Sequence, residues 1–338
     1  YDELVCSTHY QVYQIDNSQV LNEYLVLILR TKEFLEYLTS IKSNGIKNEF
    51  TFEQIKDLYI PLPSKEEQLK LINEYKYKIN LAEKYQSKSP EFKNEIDEYL
   101  FRELGINIQK KEFKKGLHLV NFKNVQRWSV EFNLNYSLIE YLSKSNFPLK
   151  KFKEFVKLQQ YGLSEVSNFN SSGIPFLRMN NIYDGELNLS KIKYIHKKIE
   201  KKYFLNKNDL LFNRTNSKEL VGKTAVFKLE DETYTFASYL IRYKIDETII
   251  NVDYLNLIMN SYIGRFQCDM YSRQILGQAN LNTEELNSFL IPLPNLNTQQ
   301  KILKHVEMLK SNIVRSKDKA VELKNTAIKN FENQVFVM

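Results

Sequence analysis

Glycine is scarce in this chain. Nine glycines among 338 residues form neither the Gly-x-Gly-x-x-Gly turn of a dinucleotide site nor a phosphate-cradling loop. The four histidines (His9, His118, His196 and His305) stand apart, without the His-x-x-x-His spacing of a helical metal pair. The two cysteines, Cys6 and Cys268, have no zinc or redox spacing, as expected of a chain in a reducing cytoplasm. No Gly-x-Ser-x-Gly elbow occurs. No catalytic residue, metal ligand or cofactor site is therefore assigned. The most apolar run, Tyr24 to Leu29, stops at Arg30, whereas a membrane span needs roughly 18–20 residues; no membrane partner is expected. Residue 1 is Tyr and no charged-then-apolar leader is present, so the chain is expected to begin inside a longer protein. One nuclease-like arrangement, Asp97 with Glu112-Phe113-Lys114, sits in a Lys/Glu-rich stretch and reads as a solvated charged segment.

At roughly 100–200 residues per domain, the length accommodates one large domain or two to three units. Hydrophobic residues make up 43% and charged residues 26%, the composition of a folded chain. The net charge of +7 is unevenly spread. From Asn146 to Lys228 there are sixteen Lys and Arg against seven Asp and Glu, more than the whole excess. An AT-rich coding sequence would raise Lys, Asn and Tyr everywhere, but it would not cluster the charge. A polyanion partner is expected, with nucleic acid the default candidate.

The strongest pattern is a duplication. Residues 50–63, ending Ile60-Pro61-Leu62-Pro63, match residues 281–294, ending Ile291-Pro292-Leu293-Pro294, at an offset of 231. The match runs on through Gln68 and Gln299, and upstream through Glu23-Tyr24-Leu25 against Asp253-Tyr254-Leu255. Each copy spans about 70 residues. The expected order is a strand (Gln11 to Ile15; Leu240 to Ile245), then a helix (Asn22 to about Tyr37; Val252 to about Met270). A short helix capped by Thr51 or Asn282 follows. Next comes an extended Ile-Pro-Leu-Pro segment, because proline fixes its own φ and biases its predecessor away from helix. A long helix closes each copy. In the second copy, Ile302, Leu309 and Leu323 share one heptad position, while Val306, Ile313, Ala320 and Ala327 share another, from Thr298 to about Phe331. That spacing predicts a coiled coil. The first copy carries Ile72, Tyr75, Ile79 and Ala82. It is expected to stop near Ser87–Pro90, with a new helix from Glu91 to Leu104 ended by Gly105. The two long helices would most simply pair antiparallel; the alternative is two amphipathic helices on separate cores.

Between the copies, from about Leu117 to Asp231, strand-like runs dominate: Phe176 to Met179, Asp209 to Asn213 and Thr224 to Leu229. The repeat arithmetic places an equivalent region of about 115 residues before residue 1. The reading is a truncated or processed chain, or else a protein with one complete and one vestigial unit.

The two Ile-Pro-Leu-Pro elements with their helix-opening Gln68 and Gln299 carry a family resemblance. So do Gln160-Tyr161-Gly162, the run Gly173 to Ile182, the run Asn208 to Arg214, and Gly277 to Leu281. By these residues, which span nearly the whole chain, the sequence resembles the specificity (S) subunit of type I restriction–modification enzymes. The resemblance implies an α+β fold: globular target-recognition domains of mixed strands and helices, joined by long antiparallel coiled-coil helices, with internal duplication. It divides the chain into a remnant of a first target-recognition domain (1–63), a first helical spacer (64–116), a second target-recognition domain (117–297) and a second helical spacer (298–338). It implies double-stranded DNA as ligand, each domain reading half of a split target and the helices setting the gap. It also implies two methyltransferase subunits and motor–nuclease subunits as partners, which would hold S-adenosylmethionine, ATP and Mg. This chain has no Asn-Pro-Pro-Tyr-type motif of its own, in keeping with a non-catalytic subunit. The alternatives are a helical adaptor for protein partners only, or the recognition domain of a fused type II enzyme.

Candidate DNA contacts are side chains at predicted strand ends, where Arg can address guanine and Asn adenine. They are Asn213, Arg214, Thr215 and Asn216; Arg178, Asn180 and Asn181; Gln159, Gln160 and Tyr161, with Gly162 permitting a tight turn; and Arg273, Gln278 and Asn280. Lys191, Lys193, Lys197, Lys198, Lys201 and Lys202 suit phosphate contacts, which position without specifying. Candidate helix-packing residues are Ile72, Tyr75, Ile79, Ile302, Val306, Leu309, Ile313 and Leu323. Trp128 is expected in a core rather than as a stacking platform, and Cys268 as a buried small hydrophobe.

Overall fold

The computed structural model describes residues 14–16, 18–40, 58–107, 116–117, 119, 121–125, 128–231, 233–275 and 277–336. In chain order these begin with helices α1 (Asn22–Ile28), α2 (Lys32–Ser40), α3 (Lys65–Leu104) and α4 (Val130–Leu142). A strand-rich stretch follows: β1 (Leu149–Lys151), β2 (Val156–Tyr161), β3 (Ile174–Leu177), β4 (Ile182–Tyr183), β5 (Glu186–Leu187) and β6 (Lys193–Ile195). It continues with β7 (Leu210–Asn213), β8 (Thr215–Asn216), β9 (Thr224–Val226), β10 (Thr235–Phe236) and β11 (Leu240–Ile245). Helices α5 (Val252–Asn260) and α6 (Tyr262–Tyr271), strands β12 (Arg273–Ile275) and β13 (Gln278–Asn280), helix α7 (Thr283–Asn287), strand β14 (Leu290–Pro292) and helix α8 (Leu296–Phe336) complete the order. Two compact units result: Tyr1–Phe92 with Ser311–Met338, and Lys93–Lys310.

In the first unit, α1, α2, the first part of α3 and the last part of α8 bury Tyr24, Ile28, Phe34, Leu71, Ile72, Phe331 and Val335 together. Their helical spacing is what gives each helix an apolar stripe to bury. Gln334 donates to Glu74 at 3.2 Å and Lys324 to Gln86 at 2.8 Å. Residue numbers fall along one helix as they rise along the other, so the two run antiparallel. Of the expected packing residues in this unit, Ile72 and Ile313 are buried and Tyr75, Ile79 and Leu323 half-buried; Ile302, Val306 and Leu309 are buried too, but belong to the second unit.

In the second unit, the centre is the antiparallel sheet β2-β11-β7-β9. Its two inner strands alternate between two cores, as a period-2 pleat requires. Leu210, Phe212, Ile241 and Tyr243 face one cluster, together with α5, α6 and the long-helix residues Tyr99, Leu100, Leu104, Ile302 and Val306. Leu211 and Leu240 face the other, with Leu177, Leu205, Phe227 and Phe236. A second sheet, β10-β3-β6, pairs β10 parallel to β3. A third, β12-β13-β8, is antiparallel throughout.

The duplication reappears as a hydrogen-bonded clasp. Gln68 and Gln299 are both fully buried. Gln68 accepts from the Leu21 amide at 2.8 Å and donates to the Pro63 carbonyl at 2.9 Å. Gln299 accepts from Asn251 at 2.8 Å and donates to Pro294 at 2.8 Å. Tyr24 donates to the Pro61 carbonyl at 3.0 Å, as Tyr254 does to Pro292 at 2.9 Å. Burial pushes the Tyr24 hydroxyl up to about 12 and raises that of Tyr254 as well, so both stay protonated donors at neutral pH.

Several expectations are corrected. The helices expected from Asn22 to about Tyr37 and from Val252 to about Met270 are each broken in two. The breaks fall at Thr31 and Ser261, equivalent positions whose hydroxyls donate to Ile28 and Ile258 carbonyls at 2.7 Å and accept from Phe34 and Ile263 amides. A side-chain hydroxyl there competes with the helical ladder, ending one helix and capping the next. The first long helix does not stop at Ser87–Pro90; α3 runs through to Leu104. Interior proline costs a helix about 3 kcal/mol. Here each half packs in its own unit, Leu71 and Ile72 on one side and Leu100 and Leu104 on the other. Gly105 ends α3 as expected, at φ +67°, with Ile106 donating back to Phe101 at 2.8 Å as in a Schellman ending. Trp128 is 85% exposed rather than buried. The Leu240–Ile245 strand, the Asn282 cap and the extended proline segments stand as read. The expected strand from Gln11 lies mostly, and the Thr51 cap wholly, outside the described residues, as does Glu112-Phe113-Lys114. Asp97 accepts from the Tyr262 amide at 3.0 Å.

Candidate nucleic-acid interface

At one end of the four-stranded sheet, three chain segments converge on residues 236–239. Phe236 pairs with Leu177, so Arg178 leaves β3 beside it. Leu163 donates to the Phe236 carbonyl at 2.9 Å, just after Tyr161 and Gly162. Arg214 donates its amide to Tyr239 at 3.0 Å and accepts from Leu281 at 2.9 Å. Gly162 is required here by proximity: a Cβ would stand 2.3 Å from the Ala237 carbonyl oxygen and 2.4 Å from that of Phe236.

The rim therefore presents Arg214 beside the exposed Tyr161, and Arg178 where its strand ends. The Arg214 guanidinium lies 5.1 Å from the Tyr161 ring centroid, a cation–π geometry that holds the side chain without using its terminal N–H groups. The Nε of Arg214 and that of Arg178 are buried without a partner. The Nε of the internal Arg242 is in the same state, so a ligand at the rim would meet the terminal nitrogens, whose fork suits phosphate or guanine oxygens. Tyr161 and Tyr239 are both exposed, as are Asn180, Lys198 and Gln278.

Other expected contacts face inward or are already engaged. Asn181 is only 2% exposed; it accepts from the Arg178 amide and donates to the Asn188 carbonyl, each at 2.9 Å. It is a structural cap. Asn213 is buried and donates to Leu220 at 3.2 Å. Thr215, also buried, donates to Asn280 at 2.7 Å. The Gln160 amide oxygen accepts from Arg242. Asn181, Asn213 and Thr215 are corrected to internal roles by their burial, while half-buried Gln160 and Asn280 are engaged by the side chains of Arg242 and Thr215: a polar group at a strand end is often satisfied by the protein itself. Gln159 meets Asn287 at 3.3 Å, and Asn216 accepts from the Ser217 amide at 2.9 Å. Arg273 is exposed and binds Glu285 at 3.1 Å.

The lysines divide likewise. Lys197 pairs with Glu165 at 2.7 Å and Lys202 with Glu200 at 2.8 Å, while Lys193 lies over the Phe169 ring at 5.0 Å. Lys191, Lys198 and Lys201 are exposed. Residues the sequence reading passed over are Tyr239, the hydroxyl pair Ser164–Ser238 at 3.0 Å, and Arg242. The last had a signal: a cation at the centre of the otherwise apolar Leu240-Ile241-Arg242-Tyr243 run. Among the described residues no group of His, Cys, Asp and Glu is placed to hold a metal ion.

A family model described as type I restriction modification DNA specificity domain matches residues 1–75 and 144–325. The chain is similar to the putative type I restriction enzyme MjaX specificity subunit of Methanocaldococcus jannaschii, 24% identical over 56% of this chain and 45% of that protein. It is also similar to the type I restriction enzyme StySPI specificity subunit of Salmonella potsdam, 30% identical over 44% of this chain and 33% of that one. The match thus spans less than half the length of these curated relatives. The solved HsdS subunit from Thermoanaerobacter tengcongensis aligns with a TM-score of 0.50 at 14% identity, over 94% of this chain and 70% of that one. A chain from a structure of complex assembly and conformational transition of the type I R-M system aligns with a TM-score of 0.58, also at 14% identity, over 94% and 72%. These last two likenesses concern the fold.

Proposed function

The chain belongs to the family of type I restriction modification DNA specificity domains, and from that premise we propose that it is a non-catalytic DNA-reading subunit. Its strand-rich unit reads one half of a bipartite target, and its long helices scaffold two methyltransferase subunits, which motor–nuclease subunits join. S-adenosylmethionine, ATP and Mg belong to those partners, and the assembly works in the cytoplasm. No helix among the described residues is long and apolar enough to cross a membrane. The observation that carries the reading is the rim itself: Arg214 held over the exposed Tyr161 ring, with Arg178 leaving its strand beside Phe236, in the segment that holds the chain's cationic excess.

One observation favours the adaptor reading: much of that excess is matched on the surface, as by Lys207–Glu230 and Lys228–Asp253. Filter binding to duplex DNA over a salt series separates the two, since phosphate contacts give a steep salt slope. Arg214→Ala is expected to weaken binding to the preferred duplex by about 1–3 kcal/mol and to relax the choice at one position. Unchanged affinity and site choice would remove Arg214 from the interface. A chain that shows no salt-dependent DNA binding would leave the adaptor.

A further inference from the structure

We propose that Arg242, which does not reach the surface, is the positioning residue that holds the lysine turn and the arginine rim in fixed register for DNA reading. This rests on the DNA-reading assignment above. β11 alternates its faces, so Arg242 falls on the same face as Leu240, toward the smaller apolar cluster. Its side chain and that of Asp209 are 4% and 3% exposed. One terminal nitrogen donates to the Phe204 carbonyl at 2.6 Å and reaches Asp209 at 3.4 Å. The other donates to the Lys202 carbonyl at 2.8 Å and to Gln160. The guanidinium carbon lies 5.6 Å from the Phe236 ring centroid.

Each of these partners belongs to a segment carrying candidate contacts. Lys202 and Phe204 close the turn that follows Lys197, Lys198 and Lys201. Gln160 precedes Tyr161, on which Arg214 lies. Phe236 pairs with Leu177, next to Arg178. One planar fork thus ties phosphate-facing and base-facing segments to one strand, a geometry a lysine ammonium cannot reproduce. Stability alone does not account for a buried ion pair here, because replacing both partners by apolar residues of similar volume is often neutral or stabilising. What the fork adds is orientation.

The test uses the chain as it is. A random duplex pool selects a preferred sequence; binding to that duplex and to a scrambled duplex of equal composition is then compared over a salt series. Arg242→Met leaves Asp209 buried without its cation and is expected to lower thermal stability, so circular dichroism and thermal unfolding first establish that it is folded at the assay temperature. Its preferred-to-scrambled affinity ratio is expected to fall roughly tenfold or more, while scrambled binding changes little because lysines still meet phosphates. Gln160→Glu, which keeps an acceptor for Arg242, is expected to retain the ratio within about twofold. A folded Arg242→Met with an unchanged ratio overturns the proposal. So does a lost ratio in Gln160→Glu with Arg242→Met unaffected, which would place Gln160 on the DNA. If Arg242→Met does not fold, Arg242→Lys and Gln160→Leu each remove part of the fork; a lowered ratio in both supports the proposal, and an unchanged ratio in both overturns it. Absence of any preferred duplex for the wild-type chain is a separate result, and it overturns the DNA reading itself.

Discussion

Cys268 shows how far a single residue is decided by its surroundings. It sits on α6 inside the main apolar cluster, and burial pushes its thiol up to about 12. Gly222, at φ +88°, faces it so closely that a Cβ would lie 2.2 Å from the sulfur. Because the thiolate is the reactive species, Cys268 is expected to resist iodoacetamide in the native chain at mildly alkaline pH and to alkylate fully once urea unfolds it. Peptide mapping by mass spectrometry reads this directly; rapid native labelling at Cys268 would show that the site opens. The burial of Cys268 was legible because an isolated thiol in an apolar helix pattern has little else to do. Asn181, Asn213 and Thr215 were misread for an equally plain reason. A polar side chain at a strand end has the same sequence signature whether it caps its own backbone or meets a ligand. Only burial separates the two.

Among elements, the duplicated block was the most legible, and it is also where structure adds most. The matched prolines predicted extended segments, and the matched glutamines marked helix starts. That each glutamine bridges a helix N-terminus to the second proline carbonyl is a three-dimensional fact that sequence spacing does not contain. The breaks at Thr31 and Ser261 were missed because a lone hydroxyl inside an apolar periodicity leaves that periodicity intact. The passage of α3 through Pro90 was missed because the helix rule is local and the compensating packing is not. The clasp makes a prediction. Gln299→Leu strands the Asn251 amide and the Pro294 carbonyl in the interior, at a cost of about 1–3 kcal/mol for each buried group left unpaired. Gln68→Leu strands the Leu21 amide and the Pro63 carbonyl in the same way. Both variants are expected to unfold at lower temperature or urea concentration than wild type. Gln299→Glu is expected to be no milder: its carboxylate still accepts from Asn251, but it is buried and faces the Pro294 carbonyl with no proton to donate. If Gln299→Leu unfolds with the wild-type chain, the clasp is incidental to stability.

At the scale of the molecule, charge distribution and the single tryptophan matter most. Net +7 is modest, and several lysines of the basic segment already face carboxylates, so the salt slope of DNA binding reports how many are left for phosphates. Lys198→Ala is expected to weaken binding to every duplex alike and to lower the log–log salt slope by about 0.9, the value of one released phosphate contact. Lys197→Ala, which also frees Glu165, is expected to change the slope less. Equal slopes in wild type and Lys198→Ala would take Lys198 off the phosphate path. Trp128 stands at 85% exposure, its ring 6.3 Å from that of Phe122. Its indole already lies in water, so its emission is expected near the red limit in the folded chain, and unfolding gives it almost no spectral shift. Intrinsic tryptophan fluorescence is therefore a poor reporter of folding in this protein. It becomes instead a reporter of encounter, turning blue when another surface covers Trp128. Folding itself is read from the near-ultraviolet signal of buried tyrosines such as Tyr24, Tyr243 and Tyr254.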